Sequence, residues 1–450
     1  MSYEDFAPKA LVPFKERLTL MLFVGTFFVM LYNVSAHYAY VKEAHSSLYM
    51  AWEQKIPFIG WFIIPYASLS ILFCLVFLMP QTRLQARILG LRVLLVIFIS
   101  VGIFLLFPLQ YAFEKPKIEA FYLLFEGLSM VDSPYNQLPS LHVSLALIVA
   151  LSIKEHIKQK ALKYALLFWF LMIIISTLFT YQHHFVDLPM GLLVGLCALG
   201  FIRKDGKLVR TFTTSRHLTI GFCYLAGALI ALVGILYSDL LFLEVVLGWI
   251  FIAMILVSIA YAFGLSRLLV GKNGKASWYQ YAFLAPYFLG TYLAWRCYKK
   301  RLTPLILLQD KIYFGRQLDP KESASLKEIG VSHTIHLALE SQFCPPFTSQ
   351  TRFAMFDITT PSPQMLHQVV LAIENVKAQG VYVHCSLGLS RSVLAISAWL
   401  VYQGYTMEQI YHILGESKID YLKRDYMQLG LELYRHYLKI DIKHKGETEL

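Results

Sequence analysis

The chain has 450 residues, 57% of them apolar and only 15% charged, with a formal net charge of +11. Such a composition excludes an ordinary soluble enzyme, because much of the chain must sit in lipid. The lysines and arginines fall mostly between hydrophobic segments, so the positive charge reads as a membrane-orientation signal rather than a nucleic-acid surface.

The start, MSYEDFAPKA, is acidic and lacks the basic-then-apolar pattern of a removable signal peptide, so none is expected. Apolar runs close to the length of about 20 residues that crosses a bilayer fall at 17–37, 57–79, 89–109, 140–153, 164–181, 185–202, 217–237 and 241–263. Eight spans are expected, the fourth short and opened by the polar Ser140 and His142, which predicts a cavity inside the bundle. With the N-terminus inside, the basic residues around 9–17, 83–92, 154–163, 203–216 and 267–275 are cytoplasmic, while Lys42, Lys55, Lys115 and Lys117 lie outside. The segment 278–295 is apolar enough to span, yet Pro286 interrupts it and a basic cluster follows, so an interfacial or re-entrant helix is expected. Six cysteines without a CxxC pair leave neither a disulfide scaffold nor a metal site.

Two histidine-bearing segments stand out in this half: NQLPSLHVSLAL around His142, and STLFTYQHHFVDLPMG with His183, His184 and Asp187. Both fall at the outer face under that orientation. His183 and Asp187 are four apart, so on a helix the carboxylate holds the imidazole in the tautomer that leaves its other nitrogen nucleophilic. His142, arriving from another helix, can protonate a departing oxygen. His184 reads as a packing residue or a substrate contact.

These segments resemble the type 2 phosphatidic acid phosphatase (PAP2) superfamily, and within it the inositol-phosphorylceramide synthase branch. PSLH at 139–142 is similar to the PSGH motif, and Ser176, His183 and Asp187 match the SRxxxxxHxxxD motif. The resemblance implies a helical bundle in which His183 is nucleophile, Asp187 its orienter and His142 the acid and base, acting on a lipid phosphate. Ser140 belongs to the same implied substrate site. Thr177 stands where the family carries a phosphate-binding arginine, and Lys115 and Lys117 in FEKPKIEAF are the nearest cationic substitutes. Headgroup transfer therefore stays open beside hydrolysis.

After Thr303 the pattern shortens to strand-like KIYFG, VSHTIHLAL and RFAMF, then helix-like MLHQVVLAIENVKAQ, then VYVHCSLGLSRSVLAISAWLVYQG. The last reads as buried strand, tight loop and buried helix in an α/β domain. A helix N-terminus offers unpaired N–H groups and a positive dipole end, and with the fork of Arg391 it makes a cradle for a phosphate dianion. Cys385 at its base is favoured as a thiolate and primed to attack phosphorus. Gly388 permits the turn, and Ser392 can assist the departing thiolate.

His384, Cys385, Arg391 and Ser392 form HCx5RS, which resembles the signature of the cysteine-dependent tyrosine phosphatases, and the compact domain is similar to their dual-specificity branch. The resemblance implies that Ser386, Leu387, Gly388, Leu389 and Ser390 surround the phosphate with His384 and Ser392. It also implies an aspartic acid some way upstream, for which Asp357 in MFDITTPSP fits better than Asp310.

The resulting expectation is a polytopic α-helical membrane domain at 1–263 with its PAP2-like core near 80–205, a linker at 264–302, and an α/β phosphatase domain at 303–450. The whole resembles bacterial fusions of these two domains, which implies an inner-membrane protein with its cysteine domain cytoplasmic and its histidine site outside. Phospholipids are the first expected partners and phosphoproteins the second, with no nucleic acid, no cofactor and no metal; the oligomeric state is left open. The rival reading is a membrane-anchored protein phosphatase whose membrane half senses or anchors without turnover.

Overall fold

The computed structural model describes residues 11–43, 46–116, 121–206, 208, 211–341, 349–415 and 420–448. Lys117, one of the two lysines weighed above, lies outside the described residues. The chain divides into two compact units, Pro8–Arg210 and Thr211–Leu450.

The first unit is helical: α1 (Phe14–Val41), α2 (Ile63–Leu78), α3 (Arg83–Leu106), α4 (Tyr122–Val131), α5 (Leu141–Lys154), α6 (Lys160–Phe179) and α7 (Asp187–Phe201). Helix α4 was not foreseen from hydropathy. Among the described residues six helices are long and apolar enough to cross a membrane, while α5 and α7 are shorter apolar helices. These apolar helices mark an integral membrane protein. Helix α5 is packed inside the unit: Val143, Ala146, Ile148 and Val149 are fully buried. It lies against α7 at small residues, where a Cβ on Gly191 would stand 2.5 Å from the Ser140 carbonyl oxygen. Only glycine admits that approach.

The second unit opens with α8 (Ser215–Leu236), α9 (Leu241–Phe263) and α10 (Trp278–Tyr298). Pro286 does not end α10, which runs as one continuous helix through it. There follow β1 (Leu305–Gln309), β2 (Ile312–Arg316), α11 (Pro320–Glu328), β3 (His333–Ala338), β4 (Ser349–Met355), α12 (Pro363–Val376), β5 (Val381–Cys385), α13 (Arg391–Tyr402), α14 (Met407–Leu414) and α15 (Asp425–Thr448). The sheet order is β1-β2-β5-β3-β4. Only the β1–β2 pair is antiparallel. Strand β5 is central and buried at every position, as a strand covered on both faces must be. Its carboxyl end, where open parallel sheets gather ligands, carries Cys385.

Candidate functional site

The cysteine loop starts where β5 ends and closes where α13 begins. Gly388 has φ of +71°, and a Cβ there would stand 2.6 Å from the Arg316 nitrogen, so both the dihedral and the space demand glycine. The turn brings the Gly388 N–H to 3.2 Å from Cys385 Sγ, and Ser392 Oγ lies 3.4 Å from the same sulfur. The Gly388 N–H thus donates to the sulfur, and the Ser392 hydroxyl stands beside it. Cys385 is buried, while Leu387, Leu389 and Ser390 are half-buried.

Arg391, the first residue of α13, is buried with the loop. Its Nη1 donates to Glu340 Oε2 at 2.7 Å and to the Met355 carbonyl oxygen at 3.1 Å, and Nη2 donates to Glu340 Oε1. Burial opposes the charge, but Asp357 and Glu340 outweigh it and keep Arg391 firmly cationic. Burial likewise pushes the Glu340 carboxyl up, and Arg391 with Ser386 overcomes this and holds it below its usual value. The Ser386 hydroxyl donates to the same carboxylate. Glu340 is the site residue that sequence reasoning missed. Its signal was faint: a carboxylate directly after the apolar run of β3, in a domain whose loop arginine needs a buried counter-charge.

Arg391 Nε is different. It is buried, donates no hydrogen bond among the described residues, and is ion-paired with Asp357 Oδ1 at 3.3 Å. Asp357 follows β4, accepts from Ser390 Oγ at 3.2 Å and from the Ile358 N–H at 3.0 Å, and is over a third exposed. An unused guanidinium donor facing a carboxylate across the loop mouth fits an oxyanion that accepts from the arginine and lies beside an acid. Asp310 sits in the turn between β1 and β2 and makes none of these contacts.

The placement of His384 corrects its reading as a substrate contact. Successive strand residues face opposite ways, so His384 lies on the other side of β5 from Cys385, stacked on Tyr382 and 4.7 Å from the His336 ring centroid. Its ring nitrogens are buried, and neither has a hydrogen-bond partner among the described residues. Burial first, then the charge of Arg352, pulls its pKa down to about 3, and burial also lowers that of His336.

In the membrane half the two histidine segments meet. The Ser140 N–H donates to the Asp187 carbonyl oxygen at 3.0 Å, joining the start of α5 to the start of α7. His183 Nδ1 is 3.3 Å from Asp187 Oδ2, leaving Nε2 as the ring nitrogen without a partner among the described residues. His142 Nε2 donates to the Tyr66 carbonyl oxygen at 3.1 Å, and its ring stacks on Tyr66 at 4.0 Å. Tyr66 in turn donates to Asp132, as does Tyr32.

Ser140 is fully buried, with its hydroxyl accepting the Val143 N–H as the cap of α5, so its role is structural rather than substrate-binding. His184 is also tied down: Ala112 N–H donates to its Nε2 at 3.1 Å, which puts its proton on Nδ1, 3.1 Å from buried Glu53. Lys115 Nζ donates to Gln182 at 3.0 Å in a cavity of 520 Å³ that also reaches Asp132 and Tyr181. Lys115 is therefore one residue from His183 through Gln182, without touching it. No cluster of three or more His, Cys, Asp or Glu side chains suited to a metal occurs among the described residues.

Two family models match the chain: "Dual specificity phosphatase, catalytic domain" at 312–435 and "PAP2 superfamily" at 44–201. Among solved structures, Tk-PTP in its active form shares 18% identity over 29% of this chain and 95% of its own, with a TM-score of 0.27. PTPMT1 shares 20% over 32% and 99%, with a TM-score of 0.26. The core catalytic domain of the PP-IP phosphatase SIW14 from S. cerevisiae shares 15% over 32% and 96%, with a TM-score of 0.27. No curated protein matches the chain. A helical bundle and an α/β sheet domain thus carry matches to two phosphatase families, and the chain is a fusion of a PAP2 domain with a dual-specificity phosphatase domain, a phosphomonoester hydrolase.

Proposed function

We propose that the protein is a bifunctional phospholipid-metabolising enzyme with two independent covalent centres. At the soluble centre, Cys385 Sγ attacks phosphorus, the bond to the leaving oxygen breaks, and the Asp357 carboxylic acid supplies that oxygen with its proton. Water then attacks the thiophosphate, giving its proton to the Asp357 carboxylate, and the sulfur departs as thiolate with the Ser392 hydroxyl beside it. Arg391 Nε holds the phosphoryl oxygens in both steps. The observation that carries this reading is the sulfur at the base of the loop, 3.2 Å from the Gly388 N–H, with an unspent buried donor of Arg391 at the mouth.

At the membrane centre, His183 Nε2 attacks a lipid phosphate while Asp187 holds Nδ1 protonated and His142 protonates the departing oxygen. Water, or the hydroxyl of an acceptor headgroup, then attacks the phosphohistidine, giving its proton to His142, and the P–N bond to His183 breaks. Thr177 in place of the family's arginine favours transfer as an alternative to simple monoester hydrolysis. We place this centre on the outer face of a bacterial inner membrane and the cysteine centre in the cytoplasm, on the asymmetry of basic residues around the spans. Tethering beside a bilayer raises the effective concentration of lipid substrates for the cysteine centre, which ranks phospholipid ahead of phosphoprotein.

Lipid turnover by the full chain tests the proposal. Each of Cys385→Ser and His183→Ala should remove a separate part of it; if neither alters lipid turnover, the bifunctional reading is wrong. If only Cys385→Ser matters and the substrate is a phosphoprotein, the membrane half is an anchor or sensor.

A further inference from the structure

A cavity of 590 Å³ lies between α10 and the phosphatase sheet within the second unit. Phe288, Tyr292 and Trp295 of α10 line it, and Glu340 and Ser386 reach it from the catalytic loop and its support. Three charged side chains that line it are already paired: Lys299 with Asp319 at 3.0 Å, and Glu340 with Arg391 behind it. Arg296 and Lys321 also line it at its exposed rim, and among the described residues no ion pair engages either.

The wall helix has the character of a membrane-surface element. Trp278 is 82% exposed and Leu289 more than half, so one side of α10 presents Trp and large apolar groups outward, the mixture that favours headgroup depth. On its other side, Leu284 and Tyr287 share a buried cluster with Val257 and Tyr261 of the apolar span α9 and with Leu339, the neighbour of Glu340. An apolar span, an interfacial helix and the arginine's counter-ion are thus packed into one body. Aromatic walls with two cations at the rim beside a phosphate cradle match an amphiphile with an anionic head.

We propose that this cavity binds the headgroup and upper chains of an anionic phospholipid carrying a phosphomonoester, presenting that phosphate to Cys385. The proposal deepens, and rests on, the reading of Cys385 as nucleophile. The aromatics of α10 hold the glycerol and first methylenes, and Arg296 and Lys321 add to the field of Arg391.

The test uses the full chain with dihexanoyl phosphatidic acid, para-nitrophenyl phosphate and a phosphotyrosyl peptide, counting only the rate that Cys385→Ser abolishes. Tyr292 and Arg296 are exposed, so the double variant Tyr292→Ala/Arg296→Gln keeps the fold. Its kcat/KM for the lipid, relative to that for para-nitrophenyl phosphate, is expected to fall by about tenfold. An unchanged ratio overturns the lipid site and leaves the catalytic reading standing. An equal fall for the phosphopeptide also overturns it, making the cavity a peptide site. If Cys385→Ser abolishes none of these hydrolyses, the catalytic reading fails and this site with it.

Discussion

Glu340 and Arg391, 51 residues apart, form a buried two-pronged ion pair through the terminal nitrogens, while Nε faces Asp357 at the loop mouth without a hydrogen bond among the described residues. The pair aims the fork, because both terminal nitrogens are held from behind. Removing one partner of such a pair strands a buried charge, which costs about 3–5 kcal/mol. Glu340→Ala is therefore expected to lower the denaturant midpoint of the phosphatase activity and to raise KM for para-nitrophenyl phosphate by about tenfold. Glu340→Gln, which retains shape and one acceptor, should recover part of the stability. Unaltered KM in both variants contradicts the positioning role.

The loop bearing Asp357 is held by the membrane-side helices of its own unit. The Asp357 N–H donates to Tyr261 Oη at 3.4 Å, and the Tyr261 ring lies 4.6 Å from that of Phe356. Tyr261→Phe keeps the packing and removes one long hydrogen bond, so a three- to tenfold effect, about 0.5–1.5 kcal/mol, is expected. It should appear in kcat for an alkyl phosphate, whose leaving oxygen needs the Asp357 proton, and be smaller for an aryl phosphate. Equal losses on both substrates contradict a role through the acid.

Buried His336 and His384 give the phosphatase domain an acid-sensitive stability. Both are held neutral in the fold, His384 down to about 3, whereas an unfolded imidazole titrates near its ordinary value. Between those values the unfolded chain binds more protons, so stability rises with pH and flattens once the unfolded histidines are neutral. The slope below about pH 6 is about 1.4 kcal/mol per pH unit for each histidine. Urea midpoints of the cysteine-dependent activity should fall steadily from pH 6.5 to pH 4.5 and be level above pH 7. His384→Gln should flatten the slope by roughly half. A midpoint independent of pH across that window contradicts the neutral, buried pair.

In the membrane half, the contact of Asp187 with His183 Nδ1 sets the tautomer that exposes Nε2. Asp187→Asn keeps the shape but permits the wrong tautomer, and histidine-dependent lipid turnover is expected to fall by about 10³-fold, with His183→Asn falling at least as far. Radiolabelled lipid phosphate consumed in the Cys385→Ser background reads this directly. Near-normal turnover in Asp187→Asn means that some other group activates the nucleophile.

How much of this was visible in the residues follows from sequence distance. The cysteine loop is one uninterrupted run, so strand, turn and helix, with the positions of Cys385 and Arg391 at the two ends of the turn, were legible at once. The histidine segments were legible because His183 and Asp187 lie four residues apart in one run, although α7 starts only at Asp187 and the contact is made from the turn before it. What escaped were partners supplied from far away: Glu340 for Arg391, Glu53 for His184 at 131 residues, and Tyr261 for the acid loop at 96. No local period marks such contacts, and a lone Glu after a strand looks like any solvated charge. Ser140 and His384 were misread for the converse reason. Their motifs place them beside the chemistry in sequence, while helix capping and strand alternation turn their side chains away from it.

The central claim is a covalent phosphoryl group on sulfur. The full chain carrying Asp357→Ala, mixed with para-nitrophenyl phosphate and quenched in acid within the first turnover, should yield one phosphoryl group on the peptide containing Cys385 by mass spectrometry. The account predicts that label at Cys385 and its absence in Cys385→Ser. Undiminished hydrolysis by Cys385→Ser, or a label on another residue of the same domain, would contradict it.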